Sequence, residues 1–151
     1  MIALAAYTPH KWHDIGGRLI CWWTRSPYSH VEIVDMGEDE VFDPTFALCY
    51  SSSIRDGGVR AKRIDLTKPW WRVIQIDWRD LDDVWKVYAE HRGKSYGYGD
   101  LIAQLVLRLP VDDPGLLCSE LCALMLGLPD STARGMSPGA LVEYVLSRNA
   151  K

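Results

Sequence analysis

The chain has 151 residues, 48% hydrophobic and 25% charged, with a formal net charge of −3. That is enough for one domain, 1–151, with a proper core, and the acidic balance argues against nucleic acid as the main partner. No apolar run reaches membrane-spanning length, and the start, Met1-Ile-Ala-Leu-Ala-Ala6, lacks the basic segment of a secretory signal, so the expectation is a protein cytoplasmic at synthesis.

Residues 2–7 form a short apolar run read as a strand. A helix follows over His13–Arg25, with Ile15, Leu19, Trp22 and Trp23 on one face, and Pro27 breaks the chain after it. Trp22-Trp23 and Trp70-Trp71 read most simply as core or rim packing, with an aromatic substrate groove as the alternative. Ser29–Val34 is a β-branched strand, 36–40 a polar turn, and Val41–Asp43 a return into extended structure before Pro44, so the pair looks like a hairpin. Residues 45–58 read as irregular. Val59–Leu66 and Val73–Trp78 read as strands, and Arg60, Lys62 and Arg63 fit the wet face of the first. From Asp80 the apolar period becomes helical, ending near His91 at Gly93. A second helix is expected over Asp100–Leu109, and a third carries Leu117, Leu121, Leu124 and Leu128 up to Gly127 and Pro129. Ser137-Pro138 then opens a last helix. Strands grouped in the middle and helices after them make this an α+β chain.

Cys118 falls in the first turn of the third helix, where free N–H groups and the helix dipole favour a thiolate. A buried apolar filler is the other reading of a free cysteine. The remaining cysteines, Cys21, Cys49 and Cys122, form no CxxC, so neither a disulfide framework nor a metal site is expected, although His10 and His13 stand near the first helix. His91 suits a structural role at a helix end. His30 opens a strand beside the Ser26-Pro27-Tyr28-Ser29 loop and is the candidate base. In a hairpin turning around 36–39, parity places Asp43 on the face of His30, where it could orient the imidazole. Glu32 shares that face and is the alternative orienter; a bulge in the hairpin would favour it.

The segments 26–34 (SPYSHVEIV), Val41-Phe-Asp-Pro44, Leu117-Cys-Ser-Glu-Leu121 and Ser137-Pro-Gly-Ala-Leu141 resemble the circularly permuted NlpC/P60 papain-like proteins, in particular the YiiX/YebB-type branch. The resemblance implies a central antiparallel sheet packed by helices, with the histidine preceding the cysteine in the chain. It implies Cys118 as nucleophile and His30 as general base. Asp43 falls where that family usually carries Glu, Gln or His. The Cys118 N–H would hold the oxyanion, Tyr28 and Tyr96 could add a hydroxyl at the substrate, and Glu120 reads as a partner of the helix dipole. The implied activity is a cysteine amidase or peptidase acting through a thioester on a peptide, amide or acyl substrate, with no cofactor. Peptidoglycan peptides are among the substrates of such relatives, and reaching them would need a phage apparatus or another delivery route. A thiol acyltransferase or a silent binding module of the same fold are the alternatives.

Overall fold

A computed structural model describes residues 1–37, 42–97 and 115–151. Its strands are β1 (Ile2–Tyr7), β2 (His30–Asp35), β3 (Ala47–Ser53), β4 (Gly58–Ile64) and β5 (Trp71–Ile76). Its helices are α1 (Ile15–Thr24), α2 (Leu81–His91), α3 (Cys118–Met125), the single turn α4 (Asp130–Ala133) and α5 (Pro138–Asn149). The strands make one antiparallel sheet in the order β4-β3-β2-β1-β5. The architecture is α+β.

β1 runs through the middle of the sheet, and its apolar composition follows from burial on both faces. Ile2, Leu4 and Ala6 join the main core, with Val31, Ile33, Ile74 and Ile76 and the inner faces of α2, α3 and α5. Ala3 and Ala5 join a smaller cluster with Val34, Cys49 and Leu66. α3 is buried along nearly its whole length, which is why its sequence is apolar all round rather than striped.

Two expectations give way here. Residues 47–53, read as irregular from the serine run, form β3, with Ser51 and Ser52 fully buried. Register with β4 overrides their weak strand propensity. Of the expected return into extended structure at 41–43, Val41 lies outside the described residues and Phe42 and Asp43 belong to no strand; β2 is joined by β3, at Ile33↔Tyr50 and Val34↔Cys49. The helix expected over Asp100–Leu109 lies outside the described residues. Tyr7 pairs with both His30 and Trp71, so the α1 connection leaves β1 and enters β2 at one end of the sheet.

Candidate active site

The approach to Cys118 is pinned residue by residue. Leu116 N–H donates to Ser95 O at 3.2 Å, and Leu116 O accepts from Ser52 Oγ at 2.6 Å and from Gly97 N–H at 3.4 Å. Gly115 makes this crossing feasible: a Cβ there would lie 2.7 Å from Gly97 Cα. Glu120, at the third helical position, turns back so that Oε2 accepts from Leu117 N–H at 3.0 Å, while Oε1 accepts from Gly135 N–H at 2.9 Å. The buried carboxylate thus ties the start of α3 to the loop ahead of α5. At the other end Gly127 takes a left-handed φ of 81°, and Arg79 Nε donates to Met125 O at 3.1 Å. Cys118 becomes the first residue of a helix fixed at both ends, and its N–H has no acceptor within the helix.

The His30 imidazole lies beside the Cys118 thiol, close enough for the sulfur to raise its affinity for a proton. Its Nε2 is 2.7 Å from Glu32 Oε1, leaving Nδ1 as the nitrogen available to sulfur. Arg60, from β4, grips Glu32 in a bidentate pair, Nη1 to Oε2 and Nη2 to Oε1, each 2.6 Å. Arg60 Nε also donates to Asp56 at 2.8 Å, and Asp56 accepts from Lys62 at 2.9 Å. A chain of charges therefore runs from the thiol through His30, Glu32, Arg60 and Asp56 to the surface. Beside it Ser51 Oγ donates to Val31 O at 2.7 Å, so a side chain supports the backbone next to His30.

The electrostatics follow from this arrangement. Burial opposes charge on His30, but the Cys118 sulfur and the Glu32 carboxylate outweigh it and raise the imidazole to about 10. Burial likewise opposes charge on Glu32, yet Arg60 and His30 hold its carboxyl below the usual range. The other thiols are pushed up: Cys21 by burial and Asp14, Cys49 by burial and Glu32, Cys122 by burial and Cys118. Of the four free cysteines, only Cys118 has an imidazole as partner. The Cys118 residue is only 3% exposed, whereas the His30 side chain keeps 22% of its surface, so solvent meets the pair from the imidazole side.

Asp43 does not reach His30. Its Oδ1 accepts from Thr45 N–H at 2.8 Å and Thr45 Oγ1 at 2.6 Å, closing a turn around Pro44. It lines a shallow groove with Asp35 and Met36, at the far end of β2 and about 16 Å along the strand from His30. The hairpin argument failed because β2 pairs with Cys49 and Tyr50 and Asp43 lies outside any strand, so Glu32 holds the imidazole in place of Asp43. Tyr28 is half-buried and its hydroxyl accepts from Arg72 at 2.9 Å, while Tyr96 is buried and bridges Leu116 through its backbone. His10 stacks on Trp70, His13 meets the edge of Trp12, and His91 bonds the Val87 carbonyl. Among the described residues, no group of three or more His, Cys, Asp or Glu side chains is placed to hold a metal ion.

The sequence reading missed Arg60, taken there as part of a solvated basic face; its side chain is only 15% exposed. The signal was Glu32 itself, since a carboxylate inside an apolar strand needs a cation. The chain matches no protein-family model and no curated protein.

Proposed function

We propose that this chain is a cysteine hydrolase of the permuted NlpC/P60 papain-like kind, cleaving an amide or peptide bond through a thioester. The observation that carries the reading is the contact of the Cys118 thiol, at a helix start, with an imidazole whose second nitrogen is held by Glu32. The Cys118 thiolate attacks the carbonyl carbon, and the oxyanion forms against the Cys118 N–H. The protonated His30 gives its proton to the leaving amine as the C–N bond breaks, leaving a thioester on Cys118. His30 then takes a proton from water, whose oxygen attacks the thioester. The C–S bond then breaks, releasing the carboxylic acid and returning the Cys118 thiolate beside a protonated His30. Glu32 stays ionised and acts as a positioning residue, and Arg60 positions Glu32.

Iodoacetamide labelling across pH, read by mass spectrometry, tests the pair. Cys118 should react ahead of Cys21, Cys49 and Cys122 and lose that lead in His30→Ala. An inert Cys118, or one no faster than Cys21, removes the hydrolase and supports a silent binding module, a reading that the 3% exposure of Cys118 favours. Partition of a trapped acyl-enzyme between water and added amines separates hydrolysis from acyl transfer.

A further inference from the structure

The helix α1 contributes nothing fully buried to the core, and its apolar side faces outward. Trp12 is 84% exposed, Ile15 72%, Leu19 49% and Trp22 71%. At about 100° per residue, Ile15, Leu19 and Trp22 fall within roughly 60° of arc, with Arg18 about 40° from Trp22 on one side, and Arg25 is exposed at the C-terminal cap of the helix. Lys11 is exposed just before the helix. The one acid of this stretch, Asp14, is engaged as the helix cap, accepting from Gly17 N–H at 3.1 Å. A basic, tryptophan-bearing stripe thus stands out on a chain of net charge −3.

We propose that α1 docks this protein onto an anionic membrane surface. Indole and aliphatic side chains bury at the headgroup boundary while adjacent arginines meet lipid phosphates, and this stripe supplies both. A symmetric contact between two copies would instead bring Arg18 and Arg25 towards their own duplicates. No helix among the described residues is long and apolar enough to cross a membrane, so the contact is one of surface docking.

Co-sedimentation with vesicles of phosphatidylcholine alone and of phosphatidylcholine rich in phosphatidylglycerol tests this with the full chain. Wild type should pellet with the anionic vesicles only and be released by added salt. Leu19→Ser/Trp22→Ser should weaken binding about tenfold or more, and Arg18→Ser/Arg25→Asn should remove the preference for anionic lipid. Both changes fall on exposed positions, and an unchanged circular dichroism spectrum confirms that the variants fold. Failure of wild type to pellet, or undiminished binding by the Leu19/Trp22 variant, overturns the proposal. So does a dimer in analytical ultracentrifugation that this variant dissolves, which assigns the stripe to a second copy. None of these readouts depends on catalysis by Cys118.

Discussion

At the scale of single residues, the arrangement around His30 sets Asp43, the orienter expected from parity, apart from Glu32, its alternative. Glu32 is 1% exposed and bonded by both His30 and Arg60, whereas Asp43 is exposed and bonded only within its own turn. Glu32→Gln should lower turnover by about tenfold or more and cost about 3 kcal/mol, because it breaks a buried ionic pair and leaves Arg60 short of a partner. Asp43→Asn should leave turnover within about twofold and stability within about 0.5 kcal/mol. Comparison of kcat and thermal melting for the two variants decides between them, and equal losses would refute the assignment of Glu32. Arg60→Ala should reproduce much of the Glu32→Gln defect in turnover and shift its pH profile, since an unclamped Glu32 no longer fixes the imidazole. A variant with wild-type turnover and profile would deny Arg60 that positioning role. His30 and Glu32 were both legible in the sequence, as polar residues interrupting a β-branched strand. Arg60 was not, because its role depends on β4 lying two strands away in the sheet.

At the scale of elements, α3 is the helix whose start must be placed within a fraction of an ångström of His30. Glu120 anchors that start to Gly135, and Ser119 Oγ bonds the Met136 carbonyl, so the loop ahead of α5 braces Cys118. Glu120→Ala should cost about 2 kcal/mol by stranding the buried Leu117 N–H and freeing the Gly135 N–H, and should slow Cys118 labelling relative to Cys21. Full stability in that variant, measured by urea unfolding, would contradict the anchoring role. At the start of α5, a Cβ on Gly139 would lie 2.2 Å from Ser26 Oγ and 2.4 Å from Ser26 Cβ. Gly139→Ala should therefore push the loop that leads into His30, costing about 1–3 kcal/mol. The sequence also placed the helix start at Ser137-Pro138 correctly, as Ser137 Oγ accepts from Ala140 N–H at 3.2 Å. The four-residue turn α4 was missed, being too short to show a helical period.

At the scale of the whole molecule, the charged chain should shape stability against pH. His30 is raised from an ordinary 6.5 to about 10, so its contribution is fully present below about 6.5 and is lost as pH rises through 10. Glu32 is lowered from an ordinary 4.5, so its contribution is present above that value and is lost as pH falls through its lower folded value. Both are fully present between about 4.5 and 6.5. Melting temperatures from pH 4 to 10 should fall on the alkaline side less steeply in His30→Ala than in wild type. Parallel slopes would mean that His30 is not the group responsible.

The sequence by itself determined what local chemistry controls: most strands, the starts of α2, α3 and α5, and the order His30 before Cys118 with the cysteine in a helix's first turn. These follow from period, caps and turn residues, which act within a few positions of one another. Only the tertiary structure decided which carboxylate meets the imidazole, that Arg60 is part of the site, and that the apolar face of α1 looks outward. Each depends on which strand lies beside which, or on what covers a face, and those are contacts between residues far apart in the chain. The apolar stripe of α1 shows the difference most plainly. Its period makes a helix wherever it lies, but whether the face meets core or surroundings depends on how the sheet and the other helices use their own apolar surface.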